Sequence, residues 1–150
     1  MATPDHQTDS HRFERLCRAG RPLVVVRTFE EDEALQVVRD ASMSLSGKLA
    51  IWTVLSGVFD GILDRPNPIP DTTAPLAGLH HLAYTDREAS IACLVDVAPP
   101  LDEPRVSRAF RDLVASTRRR GGTAVVVDHS PSPPALARAP AVGFEPRSPR

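Results

Sequence analysis

Apolar positions along the chain alternate between short unbroken runs and stretches with helical spacing. The runs 22-PLVVVRT-28, 48-KLAIWT-53, 90-SIACLVDV-97 and 123-TAVVVDHS-130 are rich in β-branched residues and show no polar alternation, which predicts strands buried on both faces of a parallel sheet. Between them lie helical patterns. Residues 29–42 put Leu35, Val38 and Ser42 on one face, with Glu33, Gln36, Arg39 and Asp40 mostly elsewhere. Residues 73–84 align Leu76, Leu79, His80 and Ala83, and residues 103–120 align Val106, Phe110, Leu113, Val114 and Thr117 before the Gly121-Gly122 stop. A short helix from Ser10 to Ala19 precedes the first strand, closed by Gly20 and Pro22. The stretch 54-VLSGVFDGILDRPNPIP-70 reads as a long loop with room for one strand-like turn. Strands alternating with helices predict an α/β fold, a three-layer sandwich on a mostly parallel sheet of four to five strands with right-handed crossovers.

Composition narrows this picture. The 150 residues, 41% hydrophobic, suffice for one domain with a real core. Prolines number 15 and gather at 66–70, 99–100 and 131–150, so the expected organisation is a disordered start over 1–9, an α/β domain over 10–130 and a Pro-rich tail or linker over 131–150. A net charge of -1 gives no bulk electrostatic argument for nucleic acid or an anionic membrane, and neither is an expected partner. Cys17 and Cys93 are too few for a disulfide framework, and the first residues lack a signal-peptide core. The expected setting is the cytoplasm, with reduced thiols. The single lysine, Lys48, supports no functional argument.

In a parallel sheet the strand C-terminal ends lie along one edge, where open α/β folds place ligands. Here that edge would hold Thr28, Glu30 and Glu31; Thr53 and Ser56; Asp96; and Asp128 with His129. An acidic crevice of this kind could hold a divalent cation through hard oxygen ligands. The competing reading of 28-TFEE-31 is a capping box, with the Thr28 hydroxyl accepting from the Glu31 amide and the Glu31 carboxylate reaching back. Acids in a first helical turn also suit the helix dipole, and capping is the preferred reading.

A phosphate-binding loop is not supported. It needs G-x-x-x-x-G-K-[ST] between a strand and a helix, whereas the only Gly-Lys, Gly47-Lys48, precedes a strand and has Ser42 and Leu49 at the other required positions. Acids at 30–32 would also oppose a polyphosphate. Asp96 ends a buried strand as a magnesium-holding aspartate would, but Val97 stands where a catalytic glutamate would follow, and a turn role is the simpler reading. His80 and His81 are adjacent, about 100° apart on a helix, and poorly placed to share a metal. Asp128-His129 with Ser56 or Ser130 lacks the G-x-S-x-G elbow of a hydrolase. The helix 105-RVSRAFRDLVASTRRR-120 carries a basic face in which Arg108 and Asp112 are spaced to pair. Its default reading is a solvated face; its functional reading is a protein partner surface formed by Arg105, Arg108, Arg111 and Asp112, since no aromatic residues accompany the arginines as nucleic-acid binding would favour.

Several of these segments, in order, resemble one family. The stretch 18-RAGRPLVVVRTFEE-31, then 51-IWTVLSGV-58, then 94-LVDVAPPLDEPRVSRAFRDL-113, and finally 125-VVVDHSPSPPALA-137 are similar to the N-terminal domain of AAA ATPases of a type that includes an uncharacterised chloroplast reading frame and its bacterial relatives. The resemblance covers about residues 11–137. It implies a degenerate P-loop-NTPase-like α/β domain that precedes a catalytic AAA module, with Thr28, Glu30, Glu31, Trp52, Gly57, Asp96, Arg108, Arg111 and Asp112 at matching positions and no established catalytic role for them. Family members often carry a histidine shortly after the aspartate, where this chain has Val97-Ala98. No AAA phosphate loop, arginine finger or sensor residue appears, so a fragment, a truncated product or a stand-alone relic is expected.

Two functions follow from these readings. The first is a non-catalytic regulatory or assembly domain with no cofactor of its own, ATP and magnesium belonging to the absent module. Its partner would be an AAA module in cis or trans, or another protein. The alternative is a magnesium-dependent phosphoryl-transfer or nucleotide-binding enzyme using strand-end carboxylates.

Overall fold

A computed structural model of the chain describes residues 4–28, 30–63, 67–86, 88–97, 99–128 and 141–144. The run after Pro22 forms β1 (Leu23–Arg27), buried at every position but the last, because neither face offers a polar side chain to water. In chain order the other elements are α1 (Pro4–Arg18), α2 (Glu31–Ser44), β2 (Lys48–Thr53), β3 (Gly57–Asp60), α3 (Pro75–His80), β4 (Ala89–Val95), α4 (Pro104–Arg119), β5 (Thr123–Asp128) and β6 (Ala141–Phe144). A π-helical turn, His81–Thr85, continues α3, and a 3-10 turn, Pro99–Asp102, leads into α4.

The strands form one 6-stranded sheet in the order β3-β2-β4-β5-β1-β6. All neighbours run parallel except the β2–β3 hairpin. Alternate residues of each strand feed two separate cores. On one face Leu23, Trp52, Leu94 and Val126 pack with Leu79 of α3 and with Phe110 and Leu113 of α4. On the other, Val24, Ile51, Cys93 and Val127 pack with Phe13 of α1 and with Leu35 and Val38 of α2. The expected three-layer α/β sandwich is therefore formed. Its crossovers run in opposite directions: β1 to β2 travels one way across the sheet and β4 to β5 the other, which sends α2 and α4 to opposite faces when both are right-handed.

Three segments differ from their sequence reading. Helix α1 begins at Pro4, in residues expected to be disordered. Phe13 is fully buried, and Asp9, only 1% exposed, is held by Arg12 at 3.1 Å; the polar start docks through these residues although it shows no apolar period. Second, the loop after β2 contributes strand β3. Gly57, with φ of 75°, makes the turn, and a methyl group at that position would run into the Thr72 hydroxyl. Third, Ala141–Phe144, inside the expected tail, pairs with β1 from Leu23↔Ala141 to Val26↔Phe144. These two edge strands account for a sheet larger than the four to five strands expected. Among the described residues no helix is long and apolar enough to cross a membrane.

Candidate functional site

At the C-terminal ends of β4, β5 and β1 the backbone continues the ladder pairing. The Thr28 amide donates to the Asp128 carbonyl at 3.0 Å, and the Asp96 amide donates to the Val127 carbonyl at 3.1 Å, so the ladder holds the backbones of Thr28, Asp96 and Asp128 side by side. Asp128 is buried, 3% exposed, and Asp96 is half-buried in the left-handed region at φ of 57°. Aspartate tolerates that conformation better than most residues, and its use here ends β4 sharply. Glu30 and Glu31 stand further out, exposed. Thr53 is occupied by local structure: its hydroxyl accepts from the Ser56 amide at 3.0 Å and closes the hairpin. Among the described residues, no three His, Cys, Asp or Glu side chains come together as ligands for a metal ion. His129 and Ser130 lie outside the described residues.

The capping box takes a different form from the one expected. Helix α2 starts at Glu31 with Glu30 as its N-cap, and Glu30 provides no side-chain cap bond. The first helical bond runs from the Ala34 amide to the Glu30 carbonyl at 3.0 Å. The Thr28 hydroxyl accepts from the Glu30 amide at 2.9 Å, two residues on, which makes a hydroxyl turn that leads into the helix. The physical reason is that the Thr28 amide, one residue past β1, still bonds to the Asp128 carbonyl of β5, which holds Thr28 beside the sheet and delays the helix. Glu31, Asp32 and Glu33 still occupy the first turn, where the dipole favours acids.

The second candidate surface lies on the other face of the sheet. Arg105, Arg108 and Arg111 are exposed along α4, and Asp112 is half-exposed. Asp112 accepts the Tyr84 hydroxyl at 3.2 Å, and no ion pair joins it to Arg108 among the described residues. That hydrogen bond, together with some burial and the Asp112 charge, raises the Tyr84 pKa above its ordinary value. Arg105 pairs with Glu103 at 3.2 Å. His80 points outward and meets the Tyr84 ring edge-on at 5.8 Å, so it is not the core residue that its helical position suggested.

Other polar anchors carry weaker sequence signals. Trp52 is buried with its indole N–H donated to the Thr72 carbonyl at 2.8 Å, and the Thr72 hydroxyl donates to the Ile69 carbonyl at 2.7 Å while accepting from the Val58 amide at 2.8 Å. Trp52 and Gly57, two positions of the family resemblance, thus anchor the loop after β3 and do not line the strand-end crevice. Arg120 donates to the Asp86 carbonyl at 2.7 Å and the Leu82 carbonyl at 3.3 Å, closing the π-helical turn. An open cleft of about 460 Å³ between α1 and α2 is lined by His11, Glu14, Asp40 and Ser44. The Ser44 hydrogen bond, helped by Arg18 and His11, holds the Glu14 carboxyl below its ordinary pKa against the opposing effect of desolvation. No sequence motif marks this cleft, because it forms where two helices pack.

A family model describing the SpoVK-like AAA ATPase N-terminal domain matches residues 9–142. No curated protein matches the chain. The matched span runs from within α1 to the first two residues of β6.

Proposed function

The chain belongs to the family of SpoVK-like AAA ATPase N-terminal domains, and from that premise we propose that it is a non-catalytic regulatory and assembly domain, acting through protein contacts with an AAA module in cis or trans or with another protein. The observation that carries this reading is the turn after β1. Where a phosphate loop would offer free backbone amides and a cation, the Glu30 amide is bonded to the Thr28 hydroxyl and the exposed side chains are Glu30, Glu31 and Asp32. Their charges would oppose a polyphosphate at contact distance.

A second reading is favoured by one feature, the placement of buried Asp128 beside the left-handed Asp96 at the sheet's C-terminal edge. In that reading the two carboxylates would engage magnesium and a phosphorylated substrate. Calorimetry of the full chain with magnesium and ATP separates the two. The assembly reading expects no heat of binding, and micromolar magnesium-dependent binding that disappears in Asp96→Ala would replace it with the second.

A further inference from the structure

We propose that the outer face of α4 is a docking site for a second copy of this chain, which presents the acidic start of its α2. The proposal rests on the assembly reading and names the partner. Arg108, Arg111, Arg118 and Arg119 are exposed along α4 and form no ion pair among the described residues. Tyr84 lies beside them, 50% exposed, giving the basic face an aromatic centre. The first turn of α4, which starts at Pro104, contains no acid and carries Arg105, which pairs with the N-cap Glu103, so the arginines beyond Arg105 are the ones left facing water.

The same molecule carries the complement. Glu30, Glu31 and Asp32 are exposed at the start of α2, and α2 and α4 cover opposite faces of the sheet. A net charge of -1 therefore conceals a separation of charge across the sandwich. The acidic patch of one copy cannot reach its own arginine face through three layers, so pairing is between molecules, head to tail. Contacts of that type are heterologous and continue into rings or chains. Each exposed ion pair adds little, so the association is weak and salt-dependent.

The test is sedimentation velocity of the full chain over a concentration series at about 10 mM salt, where charges act over about 30 Å, and at about 1 M, where they act over about 3 Å. Wild type should grow in mass with concentration at low salt and return to monomer at high salt. Arg108→Glu with Arg111→Glu, and separately Glu30→Arg with Asp32→Arg, should each weaken self-association roughly tenfold or more. An equimolar mixture of the two doubly substituted forms should associate again, because the reversed faces then complement each other. Circular dichroism of each form checks that it is folded. A monomer at all concentrations in low salt overturns the proposal, as does association that both charge reversals leave unchanged or a mixture that does not recover. These outcomes leave the calorimetric result untouched, so failure of the docking surface is distinguishable from failure of the assembly reading.

Discussion

Thr72→Val tests how the loop after β3 is fixed. The Thr72 side chain is 4% exposed and its hydroxyl serves two backbone groups, donating to the Ile69 carbonyl at 2.7 Å and accepting from the Val58 amide at 2.8 Å. Valine fills nearly the same volume, so the change removes hydrogen bonds with little change in packing. The Val58 amide would be left buried without an acceptor, at about 1–3 kcal/mol, and the half-buried Ile69 carbonyl would lose a donor worth about 0.5–1.5 kcal/mol. The expected loss is about 2–4 kcal/mol, which for a chain of this size lowers Tm by roughly 10 °C. Urea unfolding followed by tryptophan fluorescence measures it directly. Trp52 is the only tryptophan and is itself bonded to the Thr72 carbonyl. Thr73→Val, at an exposed neighbour, should stay within about 0.5 kcal/mol of wild type. The reasoning is refuted if Thr72→Val costs no more than that control with the urea slope unchanged.

Arg120→Met keeps the aliphatic stem but removes the bonds to the Asp86, Leu82 and Ser116 carbonyls; it should cost about 1.5–3 kcal/mol and speed hydrogen exchange across residues 81–86 ahead of the sheet, while uniform exchange would argue against a local role. Burial pushes the Cys93 thiol up to about 12 and the Cys17 thiol up to about 11, from 9.0. The folded chain holds these protons at pH values where the unfolded chain releases them, so their stabilisation is complete below about pH 9 and declines above it, by about 1.4 kcal/mol per pH unit for each thiol. Cys93→Ala should flatten that slope in urea unfolding between about pH 8 and about pH 10.5, and wild-type thiols should react with iodoacetamide only after unfolding; an unchanged slope or prompt alkylation of Cys93 would contradict this.

The interior strands were legible because each is a closed apolar run whose two faces are both buried, and β2 matches its sequence reading at both ends. The edges were not. Strand β3 depends on Gly57 taking a positive φ and on Thr72 and Ile69 reaching back from a proline-rich loop, partners that are distant in sequence. Strand β6 is a short segment of the Pro-rich tail that gains its place only by pairing with β1. Local patterning also misplaced the start of α2 by treating T-x-x-E as sufficient for a capping box, when the bond from the Thr28 amide to the Asp128 carbonyl holds Thr28 beside the sheet. The strand-end residues were legible as a set because parallel topology alone aligns them. That the arginines and the acids lie on opposite faces was not, since the faces follow from crossover direction and strand order, which no local pattern encodes.

What opposes a phosphate cradle after β1 is backbone as well as side chains. Neutralising Glu30, Glu31 and Asp32 would remove the repulsion but leave the turn intact, with the Thr28 amide in the ladder, the Glu30 amide on the Thr28 hydroxyl and the Glu30 carbonyl already serving Ala34. A phosphate cradle needs successive amides directed into one cavity, and here two of the amides around the turn, those of Thr28 and Glu30, are already engaged. The acids follow from that backbone: a helix that starts directly after a strand exposes its positive end to water, and carboxylates are the side chains that position stabilises. Once there, they form a compact negative surface opposite the arginines of α4. In the proposed assembly, the turn that offers no phosphate cradle is the one that supplies the acidic half of the contact.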